Sequence, residues 1–313
     1  MDLIKIDSKD LSSNAFKLLK LVPDSAVWLA NYVSPRTRST YKFAVESFIA
    51  FAGLSSENDW KEVDQVHLIA WREHLTRNGA SAWTVNTKFS AISQLFEHLC
   101  EKQIVSKNPT AGIKRPKVDK RKVKTPIMTR KQVRSMLEAP DTATLKGCRD
   151  HVMLSIFFFT GCRISEISKL KVRDFLMDGG YWCLEFTVKG GKLNRVAINQ
   201  ELQIAIQYYL MVSGHAEEKN APLVLAIQRA ELRRHLNPSQ IHRTFYKYAR
   251  MVGLPDGVTP HSARATFVTE ALENNCPIES VQGTVAHAHI STTQMYDKRK
   301  IKHRDSASFK VHF

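Results

Sequence analysis

Residues 260–296 read PHSARATFVTEALENNCPIESVQGTVAHAHISTTQMY, and this stretch organises the reading of the whole 313-residue chain. His261 and Arg264 are three apart, so in a helix both project from one face, about a turn from each other. Phe267, Val268, Ala271 and Leu272 continue an apolar stripe at helical spacing and anchor that helix to a core. Asn274-Asn275 and Pro277 then end it. A second short helix, roughly 278–285, leads to His287. Nine residues later, beyond the polar run 291–294, stands Tyr296. Two imidazoles, a guanidinium and a phenol are the raw materials for chemistry on a phosphate.

Bulk properties point the same way. A hydrophobic content of 43% and a charged content of 24% suit a globular protein, and the length suits two domains, each able to bury a core. The net charge of +16 points toward a polyanionic partner. Its distribution is uneven: residues 1–113 carry 13 Lys+Arg against 12 Asp+Glu, whereas residues 114–313 carry 33 against 18. The basic excess therefore accompanies the His/Arg/Tyr stretch. No apolar run approaches the ~20 residues of a membrane span and no signal-peptide core opens the chain, so a cytoplasmic protein without a membrane partner is expected. Cys100, Cys148, Cys162, Cys183 and Cys276 are scattered and form no CxxC pair, which suggests neither a zinc site nor a disulfide framework and predicts small buried residues.

In chain order, residues 1–23 are weakly patterned. Helices are expected over 24–32, over 35–52 with Ser34 as cap and Pro35 at the first position, from Val63 or Asp64 to Arg77, and over 81–102. They form a compact helical N-terminal domain, residues 1–113. Its aromatics read as core, while Arg36, Arg38, Arg72, Arg77 and Lys88 lie where they can meet phosphates. The run KRPKVDKRKVK at 114–124 carries seven basic residues and cannot bury a core, so 114–127 reads as an interdomain linker. Its Lys114, Arg115, Lys117, Lys120, Arg121, Lys122 and Lys124 are candidates to lie along a nucleic-acid backbone.

The remaining domain, 128–313, opens with Thr129 capping a helix over 130–138. A strongly apolar helix over 150–159 stops at Thr160-Gly161, and TGCRISEISKL follows, with Arg163 and Glu166 a turn apart. The period then changes to two: YWCLEFTVK, Gly190-Gly191 and KLNRVAI read as a β-hairpin with Lys189 at its tip. Helices resume over 201–212 and 238–251. The fold class is mainly α in two domains, the second carrying a small antiparallel sheet.

With these residues in hand, the chain resembles the tyrosine recombinases, the family of phage integrases and Xer-type recombinases. Four features carry the resemblance, in order: TGxRxxE at 160–166, the hairpin lysine Lys189, HxxR at 261–264, and H-x8-Y at 287–296. The resemblance covers both domains. It implies an all-helical core-binding domain and a catalytic domain clamped around DNA, and a site-specific recombinase that cuts and rejoins strands through a 3′-phosphotyrosyl intermediate without metal, ATP or other cofactor. The implied partners are double-stranded recombination sites, a homotetramer on two paired sites, and accessory DNA-bending proteins or a partner recombinase. No further arm-binding domain is expected, as in Xer-like or mobile-element enzymes. Its basic tail, ending in Phe309, Val311 and Phe313, is a candidate to dock on a neighbouring subunit.

The chemistry asks for these residue types. A phenol with an ordinary pKa near 10 is about a thousandth ionised at neutral pH, so Tyr296 as nucleophile needs activation by its site. Charge growing on the non-bridging oxygens suits two fixed guanidiniums, Arg163 and Arg264. By resemblance, Lys189 donates the proton to the leaving 5′-oxygen, His261 binds the phosphate and assists proton transfer at the tyrosine, His287 hydrogen-bonds the phosphate, and Glu166 orients its neighbours. Taken singly, Arg163 and Glu166 are also a surface pair, Lys189 a polar turn residue, and His287 with His289 a solvated pair or metal ligands. No carboxylate cluster of the two-metal kind accompanies them. Two positions depart from the family pattern: Ala286 precedes the histidine where glycine is common, and Ala265 follows the arginine where histidine is common. The same residues allow a topoisomerase-like nicking and rejoining enzyme, or a DNA-binding regulator that has kept only the fold.

Overall fold

The computed structural model describes residues 24–56, 58–118, 125–227 and 234–296. The chain divides into two compact units, Met1–Asp119 and Lys120–Phe313. The N-terminal lead-in, residues 119–124 with Lys120, Arg121, Lys122 and Lys124, and the tail after Tyr296 lie outside the described residues.

The first unit contains α1 (Asp24–Ala30), α2 (Pro35–Ala52), α3 (Gln65–Arg77) and α4 (Ala82–Glu101), with a 3-10 turn at Asn58–Glu62. Local chemistry sets their starts. Ser34, Asp64 and Ser81 accept hydrogen bonds from the first-turn amides of α2, α3 and α4, and Pro35 opens α2 where its missing N–H costs nothing. The helices close over Phe48, Leu68, Trp71, Phe89, Ile92 and Phe96, all fully buried, so the aromatics among them are core as expected, whereas Phe43 and Trp83 are exposed. Trp71 packs edge-on to Phe48 at 5.0 Å and stacks on Phe89 at 5.4 Å.

The second unit is built around α6 (Leu145–Thr160), which buries residues on all sides and so forms the middle of the domain. Packed against it are α5 (Arg130–Glu138), α8 (Gln200–Ser213), α9 (Pro238–Met251) and α10 (Pro260–Glu273). A buried ion pair, Arg149 to Asp150 at 2.6 Å, also receives the Tyr248 hydroxyl on Asp150 and sends Arg149 to the Leu225 carbonyl, tying α6 to α9. Such a pair is affordable only because the remaining donors and acceptors are met. The expected start of α6 near 150 is too late: Thr144 caps the helix by accepting from Gly147, and Lys146 and Gly147 hide the apolar period there.

The sheet has three antiparallel strands in the order β1 (Phe175–Asp178), β2 (Tyr181–Thr187), β3 (Leu193–Ala197). The β2–β3 hairpin is the expected one, with Glu185 opposite Arg195. Strand β1 is additional, too short at four residues for its alternation to be read. Its partner is fixed by Gly179 and Gly180, whose φ values of 55° and 84° make the two-residue turn that suits twisted hairpins. Leu184, Phe186 and Val196 join the core, and Asn194 donates to the Thr284 carbonyl of α11 (Ile278–Thr284) at 3.0 Å. That bond ties the hairpin to the segment leading into His287.

Candidate active site

The site begins where α6 ends. Gly161 takes the left-handed conformation, φ 61°, and its N–H closes on the Phe157 carbonyl. A side chain has no room here: a β-carbon would lie 2.6 Å from Cδ1 of Phe267 and 3.1 Å from Cγ1 of Val285. The sharp exit makes Arg163 the first flanking residue of the short helix α7 (Ile164–Ile167). Glu166, only 4% exposed, then accepts from both the Arg163 backbone N–H and its Nη1, each at 2.7 Å. One buried carboxylate thus caps α7 and fixes the guanidinium, whose side chain stays 32% exposed. A surface i,i+3 pair is excluded by the burial of Glu166.

Arg264 comes from the first turns of α10, which starts at Pro260 with Thr259 as cap. It is 2% exposed. Nη1 donates to the Gly161 carbonyl at 2.7 Å, Nη2 to the Val285 carbonyl at 2.6 Å, and Nε to Nε2 of His287 at 3.3 Å. His261, one turn earlier on the same helix, is exposed. Arg264 reaches the Gly161 carbonyl, and the small Ala263 and Ala265 beside it are fully buried, so helix and turn approach closely.

His287 follows α11 through a tight helix exit. Ala286 has φ 50°, its N–H reaches the Gly283 carbonyl and that of His287 reaches the Gln282 carbonyl, the pattern for which glycine is preferred at the left-handed position. Gln282 then donates its side-chain amide to the His287 carbonyl at 3.0 Å. The ring is 7% exposed, and its Nδ1 lies 2.9 Å from Oγ1 of Thr293. Burial, reinforced by the Arg264 and Arg163 guanidiniums, pushes its pKa down to about 3. His287 is a neutral imidazole at neutral pH. His289 is exposed, apart from this arrangement.

Tyr296 ends α12 (Ile290–Tyr296), one turn beyond the fully buried Thr293. The polar run before the tyrosine is therefore helical, which its composition hid. Lys189 stands exposed on the hairpin turn, where Gly190 and Gly191 supply φ values of 85° and 77°, outside the hydrogen-bonded cluster just described. Among the described residues no three His, Cys, Asp or Glu side chains converge as metal ligands would. Cys162, fully buried beside Arg163, has its thiol pushed up to about 12 by burial and is an unreactive packing group.

Tertiary structure thus brings Arg163, Glu166, Arg264 and His287 into one cluster around the Gly161 turn and adds Val285 and Thr293, which sequence reasoning missed. The signal for Thr293 was its spacing of three from Tyr296, readable only once that run is taken as a helix.

Of the basic residues in the first unit, Arg36, Arg77, Lys114, Arg115 and Lys117 are exposed. Arg72 is engaged, pairing with Glu73 at 2.8 Å and donating to the Lys114 carbonyl at 2.7 Å. Arg38 is half-buried, its Nε donating to the Tyr32 carbonyl. Lys88, half-buried, reaches Ser47 at 2.8 Å and lies over the rings of Phe43 and Trp71. No described helix is long and apolar enough to cross a membrane.

Comparison with known proteins agrees with the geometry. The profile described as "Phage integrase family" matches residues 126–303, and "Phage integrase, N-terminal SAM-like domain" matches residues 26–105. The chain is 30% identical over 219 residues to tyrosine recombinase XerC of Chlamydia caviae, covering 70% of this chain and 68% of that one. It is 26% identical over 267 residues to a tyrosine recombinase of Pseudothermotoga lettingae, covering 84% and 87%. In fold it matches the XerH site-specific recombinase bound to a palindromic difH substrate with a TM-score of 0.70 at 20% identity, covering 97% and 89%. It likewise matches a lambda integrase tetramer bound to a Holliday junction with a TM-score of 0.71 at 14% identity, covering 92% and 79%. The chain belongs to the phage integrase family, the tyrosine recombinases, enzymes of site-specific DNA cleavage and rejoining.

Proposed function

We propose that the cluster around Arg264 is the phosphate-binding centre of this recombinase and that Tyr296 is its nucleophile. The observation that supports this best is convergence: the TGCR turn, the HSAR helix and the AH exit are joined through the three donors of Arg264. The Arg264 guanidinium is a buried cation fixed in place by the Gly161 and Val285 carbonyls, and fixed cations of this kind suit a phosphate. Beside it the exposed part of Arg163 offers a second, held at its angle by Glu166.

In this reading the Tyr296 oxygen attacks phosphorus as its phenolic proton passes toward His261. The bond from phosphorus to the 5′-oxygen breaks, and Lys189 supplies the proton that oxygen needs as it leaves. Arg163 and Arg264 hold the non-bridging oxygens as their charge grows, with His287 beside them. Strand and enzyme are then joined as a 3′-phosphotyrosine. Attack by another strand's 5′-hydroxyl reverses the steps, so the ester energy is kept and neither ATP nor metal is required.

The substrate is double-stranded DNA at paired recombination sites, bound by a homotetramer in the cytoplasm, with accessory DNA-bending proteins or a partner recombinase able to take part. The first domain is residues 1–113, the linker 114–127 and the catalytic domain 128–313. Arg36, Arg38, Arg72, Arg77, Lys88 and the basic residues of 114–124 meet the backbone. The assay is covalent capture: protein and its Tyr296→Phe variant are incubated with a library of nicked duplexes, and denaturing gels read the adduct. An adduct with the unaltered protein alone is expected. Tight binding by both without adduct refutes the nucleophile and leaves a DNA-binding regulator.

A further inference from the structure

We propose that the Thr293 hydroxyl is a positioning group that lets His287 carry its proton on either ring nitrogen: on Nδ1 while Arg264 faces Nε2, and on Nε2 once a phosphate oxygen faces it. The proposal deepens the reading above and rests on it for the identity of the anion.

The donor inventory dictates the first state. The Nε–H of Arg264 is always a donor, so the His287 Nε2 it meets at 3.3 Å presents a lone pair. The proton of the neutral ring is then on Nδ1, and it donates to Oγ1 of Thr293 at 2.9 Å. A phosphodiester oxygen that takes the Nε–H of Arg264 in place of His287 reverses the demand, because it only accepts, and a lone pair on Nε2 would repel it. Favourable contact needs the proton on Nε2, which leaves Nδ1 needing a donor.

A hydroxyl meets both demands by rotating its O–H, and Thr293 is fully buried, so no water substitutes for it. A carboxylate or carbonyl there would lock the first state and an ammonium the second. The change moves one proton between two nitrogens of one ring and leaves its charge unaltered. Adding a second proton instead is opposed by the burial of the ring and by the two guanidiniums. Because Thr293 lies on α12 one turn before Tyr296, the same bond holds the nucleophile's helix to the phosphate-contacting ring.

The test combines spectroscopy and kinetics on the full chain. Nitrogen-15 histidine spectra, with His287 assigned by its loss in His287→Gln, report which nitrogen bears the proton, and dimethyl phosphate, a diester with no O–H to donate, is the probe. The proton is expected on Nδ1 without phosphate and on Nε2 at saturation. Adduct formation in the capture assay is expected to fall about tenfold or more in Thr293→Val, with DNA affinity unchanged, and to recover to within about threefold in Thr293→Ser, which keeps the hydroxyl. A single tautomer throughout, or an unaltered rate in Thr293→Val, overturns the proposal and leaves Tyr296 untouched. A tautomer change without any adduct from the unaltered protein supports the proposal and removes Tyr296 as nucleophile.

Discussion

Gly161→Ala probes the turn that joins the two arginines. Two costs add. A β-carbon at φ 61° carries roughly 1–2 kcal/mol of left-handed strain. Placing it 2.6 Å from Phe267 and 3.1 Å from Val285 adds roughly 1–3 kcal/mol of overpacking. Loss of freedom in the unfolded chain returns about 0.4–1 kcal/mol. The net destabilisation is about 2–4 kcal/mol, a large share of a domain's roughly 5–15 kcal/mol. Gly214→Ala is the matched control, with φ 65° at the end of α8 and nothing within 4 Å of the added carbon. It carries the strain alone and costs about 1 kcal/mol. Urea unfolding of the full chain, followed by hydrogen exchange in peptides of the second unit, measures both. Pairing Gly161→Ala with Phe267→Ala in a double-mutant cycle is expected to give a favourable coupling of about 1–2 kcal/mol, since the cavity receives the new methyl. Equal costs for the two glycines, or an additive cycle, would refute the close approach of α10 to this turn.

Other expectations follow from the same cluster. Ala286→Gly relieves a φ of 50° at the helix exit and is expected to stabilise by about 0.5–1 kcal/mol, read as a rise of about 2 °C in thermal unfolding. The folded His287 pKa of about 3 lies below its ordinary value of 6.5. As pH falls below 6.5 the unfolded chain binds this proton first, so the stability present above 6.5 is lost progressively toward pH 3, at up to about 1.4 kcal/mol per pH unit. His287→Gln is expected to flatten that part of the pH–stability curve, and identical curves would contradict the burial argument. Glu166→Gln, which keeps shape but loses the charge holding Arg163, is expected to cost about 1–3 kcal/mol in urea unfolding and to slow adduct formation. Affinity for DNA is expected to fall steeply with salt, and Lys117→Ala to reduce the slope of log affinity against log salt by about 0.9 if that side chain meets a phosphate.

Much of this protein is determined locally. Ser34, Asp64, Ser81 and Thr129 start helices because a short polar side chain reaches its own first-turn amides, and the period of two in YWCLEFT marks a strand. The reactive residue types are equally legible, since phosphate chemistry needs guanidinium, imidazole and phenol, and the four boxes bear them in order. Tertiary structure decided the rest. Strand β1 exists because β2 offers an edge beside the Gly179-Gly180 turn, and α12 is a helix because Thr293 is buried under His287. Arg264 differs from the exposed His261 one turn away only because its helix runs beneath Gly161, a residue more than 100 positions earlier. The tautomer of His287, its low pKa and its partner Thr293 all depend on contacts between segments distant in the chain. Desolvation and hydrogen-bond satisfaction are set by what lies across a core, and sequence spacing carries no term for that.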